Sequence, residues 1–153
     1  MYPQCKPSMS LGEALTSVFK QYAVFTGRAR RSEFWWFQGF LVVLSFVFNF
    51  AIMGMMLLMI ADSSNSIDDA SFNYIYGVPL LLYYIIYSIV GIALFLPSLA
   101  VTIRRLHDIG KSGWNYLWGI IPLIGGIFLL VWTCQDSEVE ENKYGKSPKY
   151  IQE

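Results

Sequence analysis

Apolar and charged residues are segregated into long blocks along this chain. No charged residue occurs from Phe34 to Ile60, from Tyr74 to Ile103, or from Trp114 to Cys134. At 1.5 Å per helical residue, the first two runs exceed the ~30 Å hydrocarbon thickness of a bilayer, so each predicts a spanning helix with room for tilt. The third is near the minimum spanning length, and Pro122, Gly125 and Gly126 interrupt its centre. It reads either as one kinked crossing, which we prefer, or as two short half-helices that dip in and out. The first run is too long, and preceded by too much sequence, for a cleaved signal peptide.

The segment before the first run predicts a helix of a different kind. Met1 to Met9 holds two prolines and no period, and suggests a loose lead-in. Ser10-Leu11-Gly12-Glu13 then has the S-x-x-E form of a capping box. Leu11, Leu15, Val18, Phe19, Tyr22 and Phe25 fall on one stripe, opposite Glu13, Thr16, Ser17 and Lys20. In a soluble protein that stripe would pack on a core; beside a hydrophobic span it predicts a helix lying in the membrane interface. Gly27 is expected to break it. Arg28, Arg30 and Arg31 follow, and Phe34, Trp35 and Trp36 open the next element, as at a membrane–water boundary.

Composition supports a lipid environment. Of 153 residues, 55% are hydrophobic and only 14% charged, too apolar for a sphere of this size to hide in a core. The formal net charge is zero, so no global field favours nucleic acid, and none is expected as a partner. Cys5 and Cys134 match no metal or redox spacing and read as isolated thiols.

Lys and Arg set the expected orientation. The N-terminal segment carries Lys6, Lys20, Arg28, Arg30 and Arg31; the Ala61–Asn73 loop carries none. Between the second and third runs lies a charged island with Arg104, Arg105 and Lys111. The N-terminus and the island should face the cytoplasm, and the acidic loop outside. The chain then divides into a cytoplasmic segment (1–33), a membrane domain (34–134, with spans near 34–60, 74–103 and 114–134) and a polar tail (135–153) that should be solvated. Three crossings leave the tail outside, a re-entrant third segment returns it, and Lys143, Lys146 and Lys149 favour the return. The fold class is an all-α integral membrane protein.

Catalytic signals are sparse. His107 is the single histidine, and Asp108 adjoins it rather than lying one helical turn away, so no metal site or dyad is announced. A structural or boundary role is expected for His107, and no cofactor is implied. The apolar runs hold no Asp, Glu, Lys, Arg or His, which argues against a proton-coupled carrier. Asn49 should make an interhelical hydrogen bond. Pro97 should kink its helix and free the carbonyl one turn earlier.

The candidate site is the basic face: Arg28, Arg30, Arg31, Arg104, Arg105, His107, Asp108, Lys111 and Trp114. Each cation near an anionic leaflet contributes about 1 kcal/mol, so anionic phospholipid, or a membrane-protein partner or second copy, is expected there without catalysis. In the competing picture the arginines only set topology, with Glu33 and Asp108 pairing to them and knitting the two segments together. Further rivals are a solute transporter or oligomeric pore using the breaks at Pro97 and Pro122–Gly126, and, third, a membrane enzyme using His107 and Asp108.

Three blocks resemble the DUF805 family of small bacterial inner-membrane proteins. They are Phe25-Thr26-Gly27-Arg28-Ala29-Arg30-Arg31-Ser32-Glu33-Phe34-Trp35, then Arg104-Arg105-Leu106-His107-Asp108-Ile109-Gly110-Lys111-Ser112-Gly113-Trp114, and Ile121-Pro122-Leu123-Ile124-Gly125 with Asn142-Lys143-Tyr144-Gly145 and Pro148. Asn115 stands where an aromatic is common, and Ser147 where an acidic residue is. The resemblance implies an integral protein of the bacterial cytoplasmic membrane and brings no reaction, ligand or partner.

Overall fold

The computed structural model describes residues 4–62 and 68–151. Among the described residues, five α-helices follow one another: α1 (Leu11–Lys20), α2 (Arg31–Asp62), α3 (Asp69–Phe72), α4 (Val78–Asp108) and α5 (Ile124–Cys134). A π-helical turn at Asn73–Gly77 leads into α4, and a 3-10 helix at Gly113–Ile120 precedes α5. Among the described residues there is no β-strand, only isolated bridges. The chain divides into two compact units. Unit 1 joins the chain up to Gly39 with the chain from Phe95 onward; unit 2 is Phe40–Leu94.

Helix α1 forms as its cap predicts. The Glu13 amide donates to Ser10 Oγ, and the Ser10 amide donates to Glu13 at 2.8 Å. The Ser10 amide, then its hydroxyl, hold the Glu13 carboxyl below the usual range. A depressed carboxyl stabilises the fold above its unfolded pKa, and that contribution fades as pH falls through the folded value. In Ser10→Ala the first-turn amides of α1 should exchange hydrogen faster than in the wild type; unchanged rates would show that the cap is idle. Ala14 and Val18 are buried, while Leu11 and Phe19 stay exposed. The helix ends before Gly27, which adopts φ +86° in the following loop.

Only α2 and the Asn73–Asp108 stretch, among the described residues, are long and apolar enough to cross a bilayer. Both overrun their apolar sequences: α2 begins at Arg31 rather than Phe34, and α4 continues through Arg104–Asp108. Pro97 lies inside α4 without ending it, and Ala93, one turn earlier, is not left without a partner. In unit 2 an interhelical hydrogen bond comes from Tyr83, whose hydroxyl donates to the Phe48 carbonyl at 2.8 Å, and another from Tyr76, whose hydroxyl donates to Asp62 at 2.8 Å. Asn49, expected in that role, instead donates to the Ser45 carbonyl of its own helix. Of the acidic loop expected over Ala61–Asn73, residues 63–67 lie outside the described residues, while Ala61 and Asp62 close α2 and Asp69–Phe72 form α3.

The third apolar run does not form the preferred single helix. Its 3-10 half and α5 fold against each other, with Trp118 edge-on to Phe128 and Trp132. Eleven residues of α5 give only about 16 Å of helix, roughly half the hydrocarbon thickness. The reversal at Pro122 and Leu123 places Leu123 at φ 64°, a conformation a branched side chain rarely adopts.

Two further expectations are corrected. The tail is only partly solvated: Ser137 and Ser147 are buried, while Glu138, Glu140 and Glu141 stay exposed. The described part of the lead-in, residues 4–9, is not loose, because the Lys6 amide donates to Lys149 and the Ile151 amide to Gln4, both at 2.9 Å. Backbone groups need partners whatever the side-chain pattern, and these two segments supply each other's.

Candidate functional site

The charged island is the end of α4. Its termination follows from Gly110 at φ +71°: the Lys111 amide donates to the Leu106 carbonyl and the Gly110 amide to the His107 carbonyl. These two bonds form a Schellman cap, in which glycine supplies the left-handed residue. The Ala29 amide donates to the Arg104 carbonyl at 3.0 Å, which fixes the Arg28–Arg31 loop beside the helix end.

Asp108 is fully buried and shared by two arginines. Arg28 Nε donates to its Oδ1 at 2.9 Å; Arg105 Nη1 and Ser137 Oγ donate to its Oδ2. Arg28 uses its remaining donors on carbonyls: Glu140 and Gly145 through Nη1, Asp108 and Glu138 through Nη2. Arg105 reaches the carbonyls of Thr133, in the last turn of α5, and of Gln135, just past its end. Five guanidinium donors in a fixed fork suit such a set of acceptors, where a lysine would reach fewer.

A second pair lies on the α1 side. Arg104 Nη1 donates to Glu33 Oε1 at 3.1 Å and to Gln21 Oε1, and Ser17 donates to Glu33 at 3.0 Å. Arg104 Nε and Nη2 have no partner among the described residues, so this pair is less completely satisfied than the Asp108 cluster.

The predicted site residues therefore separate. Arg28, Arg104, Arg105 and Asp108 are buried and bonded internally, which matches the picture of pairing with Glu33 and Asp108. Arg30 and Arg31 stay nearer the surface. Arg30 donates to the Lys6 carbonyl at 3.2 Å, and Arg31 to the Cys134 carbonyl at 3.2 Å with Asp136 3.4 Å away. Lys111 sits 4.7 Å over the Trp132 ring, and Trp114 is 78% exposed. Burial pushes the Asp136 carboxyl up, but hydrogen bonds from Lys149 and the Ser137 amide, with Arg31 nearby, hold it below its usual range overall. That bond correspondingly raises Lys149.

His107 and Asp108 do not form a dyad. His107 Nδ1 lies 3.2 Å from the Gly27 carbonyl, and its ring stacks on Tyr144 at 3.7 Å, while Asp108 is held by the arginines. No group of three His, Cys, Asp or Glu residues suited to a metal occurs among the described residues. Sequence reasoning missed Ser17, Gln21, Ser137 and the tail carbonyls as partners. One signal was present: Asn142-Lys143-Tyr144-Gly145 folds as a tight turn, with Gly145 at φ +112° and the Gly145 amide donating to Asn142 at 2.8 Å.

These features define a helical membrane protein with two candidate spans and a buried ionic cluster where the Arg28 loop, the end of α4 and the tail meet. Residues 22–146 match the family described as "Protein of unknown function (DUF805)", and the chain belongs to that family. It is similar to the Inner membrane protein YhaH of Escherichia coli (strain K12), 34% identical over 86% of this chain and 93% of the relative. It is likewise similar to the Inner membrane protein YhaI of the same strain, 37% identical over 88% and 93%. No solved structure matches the chain.

Proposed function

We propose a non-enzymatic protein of the bacterial cytoplasmic membrane that crosses it twice, on α2 and α4. In this reading unit 1 lies at the cytoplasmic face, and its surface cations engage anionic phospholipid. One observation carries it: all 11 Lys and Arg residues belong to unit 1, and Phe40–Leu94 has none. Positive charge is retained on the cytoplasmic side. The pairing of the lead-in with the tail supports an even number of crossings, since segments bonded to each other share one side. The exposed apolar residues of α1, Leu11 and Phe19, suit the lipid interface.

Cys5 and Cys134 are exposed thiols and report on topology directly. A membrane-impermeant maleimide should label both in inside-out vesicles and neither in intact spheroplasts. Labelling of either from outside would overturn the two-crossing arrangement. Lipid engagement falls to Arg30, Arg31 and Lys111, because the buried arginines are turned inward. At about 1 kcal/mol per cation, Arg30→Ala with Arg31→Ala should reduce anionic phospholipid retained in native mass spectra by roughly thirtyfold. Equal retention by variant and wild type would remove the lipid role from those arginines.

A further inference from the structure

Beside the ionic cluster, unit 1 contains a half-open cavity of about 490 Å3, within the roughly 300–1,000 Å3 usual for small-ligand sites. All three sequence blocks that resemble the family contribute to its wall: Phe25 from the first, His107 and Trp114 from the second, Tyr144 from the third. Leu99 and Ile103 of α4 add aliphatic surface. Among the described residues, no charged side chain lines it.

Its polar lining comprises Ser112, Tyr116, Tyr144 and His107; of these the imidazole offers an acceptor whose role is fixed. The Gly27 carbonyl can only accept, so the Nδ1 facing it at 3.2 Å carries the proton. In the neutral ring, Nε2 is then an acceptor. Gly113 keeps this end open: a Cβ there would stand 2.8 Å from Ile103 Cγ2 and 3.4 Å from His107 Nε2. Stacking on Tyr144 fixes the ring plane. An ionised head would find no counter-charge in this lining and would be costly to desolvate, whereas a hydroxyl needs only the acceptor that Nε2 provides. The apolar wall and the exposed Trp114 connect the cavity to the surface where aromatic residues mark a membrane boundary.

We propose that this cavity binds a neutral amphiphile, one hydrocarbon or isoprenoid chain ending in a hydroxyl that donates to His107 Nε2. It is separate from the anionic-lipid surface at Arg30 and Arg31. The test uses the full chain in detergent and hexadecanol bearing a chain diazirine. Photolabel should map to peptides containing Leu99, Ile103 or Trp114. The methyl ether of the same probe, which lacks the donor, should label about fivefold less, the effect of one hydrogen bond. His107→Phe keeps a flat ring on Tyr144 and should give a similar loss with the alcohol but none with the matching alkane. Leu99→Trp, which fills the cavity, should suppress both probes. Equal labelling by alcohol and ether, label confined to other peptides, or stronger labelling by the matching carboxylate would each overturn the proposal.

Discussion

Asp108→Ala should destabilise unit 1 by about 3–5 kcal/mol, the usual consequence of removing one partner from a buried ion pair. Arg28 and Arg105 would both lose their shared carboxylate while remaining fully enclosed. That is a large share of the roughly 5–15 kcal/mol that holds typical domains folded. The tail should come loose first, because Arg28 holds the Glu138, Glu140 and Gly145 carbonyls. Trypsin should then cleave after Lys143 and Lys146 much faster than in the wild type, and the unfolding midpoint should fall. Asp136→Ala is the control. Its pairs with Arg31 and Lys149 are partly exposed, and such pairs contribute at most about 1 kcal/mol. If the two variants lost stability equally, the buried cluster would not be what holds the unit together.

This contrast also explains what could be read from the sequence. The apolar runs from Phe34 and from Tyr74 predicted two long helices, and both are present, because the absence of charge over a bilayer's length is a local property. Their ends were misplaced for one reason. Arg31-Ser32-Glu33 and Arg104–Asp108 look like loops to a hydropathy pattern, yet both are helical. Arg104 through Asp108 are buried on every face of the helix; Gln21, Arg28 and Glu33 reach them from 71 to 83 residues away in the chain, and Thr133, Gln135 and Ser137 from 28 to 30. No period in a helix can announce partners so distant.

The tail escaped the pattern for a related reason. It has no apolar stripe, and it is held mainly by carbonyls that accept from Arg28 and Arg105. Main-chain acceptors are the same in every residue, so composition cannot reveal them. His107 and Asp108 show the converse. Neighbours in the sequence project from a helix about 100° apart, so one joins the aromatic cavity and the other the ionic cluster. The pairing of Arg with Glu33 and Asp108 was legible as an alternative, since opposite charges flanked each basic block. Burial, which the sequence could not supply, decides for it at Arg28, Arg104 and Arg105.

Gly125→Ala should be the most damaging single-methyl change in the third apolar run, costing about 3 kcal/mol, the upper end of ordinary overpacking. There α5 meets the 3-10 helix backbone to backbone. A Cβ on Gly125 would collide with the Trp118 carbonyl oxygen, lie 2.6 Å from its carbon and 3.2 Å from the Gly119 nitrogen. These obstacles are main-chain atoms and cannot rotate away, so the two helices must part and Trp118 must leave Phe128 and Trp132. Tryptophan emission should shift and the unfolding midpoint should fall. Gly126→Ala, one residue on, meets nothing within 4 Å and gains up to about 1 kcal/mol of helix propensity. The pair of variants also separates the two readings of this run. In one continuous crossing helix Gly125 would face no folded-back backbone, and both substitutions would be neutral or stabilising. Loss at Gly125 with none at Gly126 is the signature of a chain that turns back at Pro122.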